Sequence, residues 1–454
     1  MPEPSSASAG RDGPRPDLVL VSIDSLRADH VGCYGYPHPT TPALDALARG
    51  GVRFETATST TSWTLPSHAA LFTGLPDSSH GLIDNGLSLD AEHVTLAETL
   101  RDAGYATAGF YGGPYLHPTF GLAQGFDHYQ SCMAAFGDAA AGDAVRAEAR
   151  ARKAAAHADV TGPRTLAAVE RFLAQRDERP VFLFVHLWDV HYDYIPPPGY
   201  ARRFDPDYTG TLTGVGVMRN PRIRRGMPAR DLAHLVALYD AEVRFTDDVL
   251  GRILAAVEAS PGARGSVVAV TADHGEEFLE HGSRGHAQTL FDEVLRIPLV
   301  IHAPGRVPAG VVVEEPVQIL DVMPTLLGLA GVAAPAHVLG RDLSALWSGR
   351  VGAVPPALAE LHIDDRELFA LRSPDAKFLA FRGGASWFDL GADPGEQHPQ
   401  PPRGVRFASG RAQLLAALAE ARAAGAAAGH PGASPVALEA GVRERLEALG
   451  YVEP

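Results

Sequence analysis

Two aspartates stand at the ends of apolar runs, where a carboxylate can leave a buried strand without disturbing it. Leu18–Ile23 (LVLVSI) ends at Asp24, which Ser25 follows, and Ser266–Ala272 (SVVAVTA) ends at Asp273, which His274 follows. Carboxylate oxygens suit a hard divalent cation, and the adjacent imidazole widens the choice from calcium toward manganese or zinc. The plainer alternatives are that Asp24 caps the next helix and that His274 is a hydrogen-bonded core histidine. Thr64 lies in the run Trp63-Thr64-Leu65-Pro66-Ser67-His68, ahead of a helical stretch through Leu71. Proline favours the first helical position, which would set the Thr64 hydroxyl against a helix amino terminus, a natural seat for phosphate or sulfate. An alcohol is a weak nucleophile at neutral pH, and coordination to a cation is one of the few ways to activate it. Capping of that helix is the alternative role for Thr64.

Parallel strands are the simplest way to gather such groups. A third apolar run, Val181–Trp188 (VFLFVHLW), ends at Asp189. Between the three runs lie stretches with apolar residues at helical spacing, at 42–49, 163–175 and 231–257. Alternating strands and helices predict an α/β fold with a mainly parallel central sheet covered by helices on both faces. In such sheets ligands collect beyond the carboxyl ends of the strands, where all three aspartates fall. A fourth strand at 297–302 and a helix near 321–329 close this region. We expect a flexible start over 1–15, a catalytic domain over 16–350, and a small C-terminal α+β subdomain over 356–454. The last follows from short strand-like pieces at 368–371, 377–381 and 386–390 and an Ala-rich helix. The Ala-rich, charged stretch 134–158 reads as a helical surface insertion.

The run Thr64-Leu65-Pro66-Ser67-His68-Ala69-Ala70-Leu71-Phe72-Thr73-Gly74 resembles the sulfatase signature C-x-P-S-R followed by A-x-L-x-T-G. The chain is thereby similar to the sulfatase family of the alkaline phosphatase superfamily, from Asp17 to the Asp393-Pro394-Gly395-Glu396 turn. In sulfatases the Cys or Ser of that motif is oxidised to formylglycine. Threonine carries a methyl on the carbon that must become the aldehyde, so Thr64 cannot become formylglycine. The resemblance instead suggests the threonine nucleophile of the superfamily's phosphodiesterase and phosphotransferase branches. It assigns Asp24, Asp273 and His274 to a metal site, with Ser25 and Asp189 as further candidates. Ser25 stands where many sulfatases have a second aspartate, and His68 where they have arginine. Trp188-Asp189-Val190-His191-Tyr192 resembles the family stretch whose histidine contacts the ester oxygen, and His286 falls in the slot of a family lysine. The two histidines would stabilise or protonate the leaving oxygen, or hold a second metal together with Asp189. His30, His38 and His281 read as supporting or surface groups. The arginines from Arg219 to Arg230 read as a solvated loop, with an anion-attracting lid as the alternative.

Composition bounds the rest. The 454 residues, 46% hydrophobic and 20% charged, are those of an ordinary globular protein, and a formal net charge of −15 argues against nucleic acid as partner. Two cysteines make no disulfide framework, and no signal-like or membrane-spanning run is evident. Those features lead us to expect a cytoplasmic protein without a membrane anchor; nothing specifies its oligomeric state. The expected activity is metal-dependent hydrolysis of a small anionic ester through Thr64, phosphate mono- or diester favoured. A strict sulfuric ester hydrolase, a phosphotransferase to an alcohol, and a non-catalytic anion-binding protein are the rival readings.

Overall fold

The computed structural model describes residues 15–134, 159–260, 265–350, 354–363, 366–427 and 432–449. The expected flexible start and Ala-rich insertion fall almost wholly outside them. Eight strands form the main sheet: β1 (Leu18–Ile23), β2 (Val52–Phe54), β3 (Ala106–Tyr111), β4 (His128–Ser131), β5 (Val181–Leu187), β6 (Val267–Ala272), β7 (Leu299–His302) and β8 (Val311–Val313). Their spatial order is β8-β2-β7-β6-β1-β5-β3-β4. The centre is parallel, with β1 flanked by β5 and β6. β7 is antiparallel to both its neighbours, so the sheet is mixed but mostly parallel. All six residues of β1 are buried, as a strand covered on both faces requires. Around the sheet lie α1 (Pro42–Arg49), α2 (Thr64–Thr73), α3 (Gly162–Gln175), α4 (Ala229–Ala259) and α5 (Val322–Ala330).

Register decides what meets at the carboxyl edge. Ile23 pairs with Leu187 on one side and Ala272 on the other, so Asp24, Trp188 and Asp273 leave the sheet at one level. Ser22 pairs with His186, which sets that histidine one step deeper in the same edge.

The C-terminal part forms an antiparallel meander of β9 (Ala357–Ile363), β10 (Arg366–Arg372), β11 (Ala376–Phe381) and β12 (Gly384–Asp389). Only β9 lacks a counterpart in the sequence expectation. Helix α6 (Val405–Ala427) covers the meander through Leu414, Leu418 and Ala421 against Leu358, Leu371 and Phe378. Beyond it, Ala433–Pro435 pairs with Leu87–Leu89 of the main body. β9 is tied to the main body as well, its Glu360 amide donating to Thr60 O (2.7 Å).

Candidate active site

Asp24 and Asp273 meet above β1 and β6, each with one oxygen held and one oxygen without a protein partner. Ser25 Oγ donates to Asp24 Oδ1 (2.8 Å). The amides of Ser25 (3.1 Å) and His274 (2.9 Å) donate to Asp273 Oδ1. Asp24 Oδ2 and Asp273 Oδ2 are buried with no hydrogen-bond partner. Among the described residues no lysine or arginine forms an ion pair with either carboxylate; their charged-pair neighbours are histidines. Two buried carboxylates without a counter-charge are costly, and a divalent cation is the ordinary remedy. The donor set therefore fits the metal that the sequence reading placed here.

Ser25 orients this pair. Its hydroxyl is engaged with Asp24, its backbone takes a left-handed φ of 55°, and its carbonyl accepts from Tyr239 OH (2.8 Å). A non-glycine residue in that region persists only when its surroundings hold it, and here Tyr239 and Asp273 do so. Asp24 caps no helix.

His274 belongs to the same cluster. Its Nδ1 lies 2.9 Å from Gly275 O and so carries the proton, which leaves Nε2 facing Asp273 Oδ2 (3.4 Å), Asp24 Oδ1 (3.9 Å) and Thr64 Oγ1 (3.3 Å). Asp24, Asp273 and His274 each present one donor atom within 4.8 Å of the others. The helix that carries Thr64 starts two residues earlier than proline preference suggested. Thr64 is its first residue and Pro66 its third, while the capping position belongs to Trp63 and has no side-chain cap. The Thr64 hydroxyl is thus engaged with His274 and does not cap.

His286 and His191 close the wall opposite. The His286 ring lies 4.3 Å from that of His274 and 4.9 Å from that of His191, centroid to centroid. Glu276 Oε1 is 3.0 Å from His286 Nδ1 and orients the ring. Burial pushes the His286 imidazole well below its ordinary value, and neighbouring His274 and His191 add to the shift. His191 stacks on Trp188, its Nδ1 2.5 Å from Tyr192 O.

Asp189 has a different task from the one expected. Its oxygens accept from the amides of Thr161 (2.5 Å) and Gly162 (2.7 Å) at the start of α3, the work of a helix cap supplied from another strand. It belongs to none of the three-donor clusters among the described residues. Asp189, His191 and His286, the set expected for a second metal, form no three-donor cluster among the described residues. Burial lifts the Asp189 carboxyl to about 6.

Two residues escaped the sequence reading. His186 sits inside the apolar run VFLFVHLW; a lone imidazole in a doubly buried strand must find a polar partner, and that was the available signal. Its Nδ1 lies 2.7 Å from Gly112 O and its Nε2 lies 3.4 Å from Asp24 Oδ2. Glu276 is the other, one residue past Asp273-His274-Gly275. His68, in the family's arginine slot, is fully buried, with Nδ1 on Thr64 O (2.9 Å) and Nε2 on Ser22 Oγ (3.1 Å). Burial pushes it down to about 3, so it adds no positive charge to the site at neutral pH. His281 bridges Glu293 (2.5 Å) and Glu396 O (3.0 Å), and His30 pairs with Asp240 (2.7 Å), both supporting roles. The arginines of 219–230 are exposed, with Arg222 and Arg230 paired to Asp231 and Asp205.

Residues 16–332 match the family model described as Sulfatase. The ulvan-active sulfatase of Formosa agariphila is 28% identical over 408 residues, which cover 85% of this chain and 76% of that protein. Among solved structures, a 2-O GAG sulfatase superposes with a TM-score of 0.72 at 20% identity, covering 95% of this chain and 96% of the other. The phosphonate monoester hydrolase of Agrobacterium radiobacter superposes with a TM-score of 0.71 at 23% identity, covering 90% and 96%. At such identities the two structures speak for the fold. No helix among the described residues is long and apolar enough to cross a membrane, and Cys33 and Cys132 are both free thiols.

Proposed function

The chain belongs to the sulfatase family and is an ester-hydrolysing enzyme of that scaffold; from that premise we propose that it cleaves small phosphate mono- or diesters by a metal-dependent attack of Thr64. The observation that carries the reading is the position of Thr64 Oγ1, 3.3 Å from His274 Nε2 at the edge of the buried Asp24–Asp273 pair. Asp24, Asp273 and His274 would hold a divalent cation, whose positive charge lowers the pKa of a nearby alcohol and offsets charge on a transferred phosphoryl or sulfuryl group. Thr64, on the first turn of α2, presents its oxygen to the same space as that helix's leading amides, which favour an anion. His286, oriented by Glu276, and His191, braced by Trp188, would stabilise or protonate the leaving oxygen.

The choice of phosphorus over sulfur follows from how the covalent intermediate must break down. A formylglycine hydrate expels sulfate by collapsing to its aldehyde. An ester of Thr64 has no such exit, so the central atom must be attacked a second time by water, a course well suited to phosphoryl groups. The experiment is a panel of matched aryl sulfate, phosphate monoester, phosphodiester and phosphonate, with metal content measured on the same preparation. We expect a phosphoester to give the highest kcat/KM. A wide preference for the aryl sulfate overturns the phosphoryl reading, products with an added alcohol mark a transferase, and metal binding without turnover marks a non-catalytic protein.

A further inference from the structure

We propose that Glu277, His281 and Glu293 form a cation site of their own, which takes a divalent metal of the zinc or manganese class and fastens the C-terminal part of the chain to the segment after His274. Each of the three presents one donor atom, and these atoms lie within 4.8 Å of one another. None of them belongs to the Asp24–Asp273–His274 cluster, so this site stands or falls independently of the proposed reaction.

Negative charge is poorly matched here. Glu277 is 1% exposed; Thr289 Oγ1 donates to its Oε2 (3.0 Å), and its Oε1 is buried with no hydrogen-bond partner. Among the described residues no lysine or arginine forms an ion pair with Glu277 or Glu293, because nearby Arg27 is taken by Asp29 and Glu280. Burial lifts the Glu277 carboxyl to about 8, and the charge of Glu293 adds to the shift.

His281 is set up to complete the site. Its Nε2 lies 3.0 Å from Glu396 O, an acceptor only, and so carries a proton. The Gln397 amide nitrogen, 3.2 Å from the same atom, donates to Gly395 O (3.0 Å). The lone pair of the neutral ring is then on Nδ1, which faces Glu293 Oε1 at 2.5 Å. Phe291 stacks on the ring, with centroids 3.5 Å and planes 8° apart, and fixes its direction. A carbonyl behind one imidazole nitrogen, with the other turned to carboxylates, is the usual support of a metal-bound histidine. A proton on Nδ1 would satisfy Glu293 and leave Glu277 bare, whereas a divalent cation satisfies all three donors. Two carboxylates and one imidazole suit zinc, cobalt or manganese, while calcium takes about six to eight oxygens. Glu293 lies on the short helix Asp292–Leu295, and its carbonyl already accepts from the Glu276 amide (3.1 Å). Through Glu396 O the ion would also tie in the Asp393-Pro394-Gly395-Glu396 turn.

The test uses the full-length protein, stripped with a chelator and titrated with Zn2+ by calorimetry, with bound zinc per chain measured by elemental analysis. Glu277→Gln keeps the shape of the side chain and removes an anionic donor. It should bind this ion about 100-fold or more weakly and lose a Zn2+-dependent rise in the urea midpoint. A folded Asp273→Asn, which alters the strand-end cluster alone, should keep the zinc that Glu277→Gln loses. The unaltered chain supplies a measurement free of folding effects. In long-range proton–nitrogen NMR spectra, His281 Nδ1 should shift to a metal-bound position at saturating Zn2+ while Nε2 keeps its proton. Wild-type zinc stoichiometry and affinity in Glu277→Gln, a folded Asp273→Asn that binds no zinc, or a His281 Nδ1 that stays protonated at saturating Zn2+ overturns the proposal. Zinc lost from Asp273→Asn but not from Glu277→Gln removes this site and leaves the strand-end site standing.

Discussion

A single methyl group governs the chemistry of this site. Thr64 Cβ bears a second carbon, so no oxidation short of breaking a carbon–carbon bond converts it to an aldehyde. Coexpression with a formylglycine-generating enzyme should therefore leave the intact mass and the rate unchanged. Thr64→Ala should lower kcat by about a thousandfold or more, as loss of an activated nucleophile does, while Thr64→Ser should retain partial activity. Thr64→Cys creates the C-x-P-S half of the maturation motif but leaves His68 in the arginine slot, and little conversion is expected by mass spectrometry. Thr64→Ala turning over at the wild-type rate would remove the nucleophile from the mechanism.

Asp273 and His274 are positioned by the turn that follows them, and Gly275 is what lets that turn close. Its amide donates to Val294 O (2.9 Å), and a Cβ at this position would overlap Glu293 O, a backbone atom that cannot swing aside. Gly275→Ala should cost about 1–3 kcal/mol in denaturant unfolding and weaken metal binding in parallel, because the displaced segment carries two of the proposed ligands. Asp189 offers the contrast. As the group that satisfies the first amides of α3, its change to Ala should lower stability by about 1 kcal/mol while bound metal per chain stays constant. A fall in metal stoichiometry would restore Asp189 as a ligand.

The two sheets are joined by a buried ionic knot. Lys377 of β11 is fully buried and pairs with Asp292 of the main body (2.9 Å) and with Glu396 of the D-P-G-E turn (3.0 Å), while Arg372 of β10 also reaches Asp292 (2.9 Å). Removing one partner strands the others, so Lys377→Met should destabilise the whole chain by about 3–5 kcal/mol in urea unfolding. Burial alone would raise Asp292, but Lys377 and Arg372 hold it well below the carboxylate range. A depressed acid contributes stability above its unfolded value, near 4, and loses it as pH falls further. The acid limb of stability below about pH 4 should therefore be shallower in Asp292→Asn than in the wild type, read from urea midpoints at each pH. By the same logic a chain ending at Val354 leaves the main body without the partners of Asp292, and it should be insoluble or inactive. A soluble, fully active product would make the C-terminal sheet dispensable.

Much of this was legible along the chain, because strand ends and helical spacing are local properties. The runs before Asp24 and Asp273 mark buried strands by composition alone, and β1 occupies the expected residues Leu18–Ile23. The exclusion of formylglycine is covalent and needs no structure. What the chain alone left open depends on which atoms face each other across the sheet. His186 looked like part of an apolar run until register set it beside Ser22 and its ring reached Asp24. Asp189 carried the same strand-end signal as Asp24 and Asp273, yet its carboxylate turns to amides 27 and 28 positions earlier in the chain. A capping role for Thr64 stays open in the sequence, and the structure closes it because α2 begins at Thr64 itself. Residue type limits which groups can donate or accept; only the packed structure decides which lone pairs already have partners and which are left for a cation.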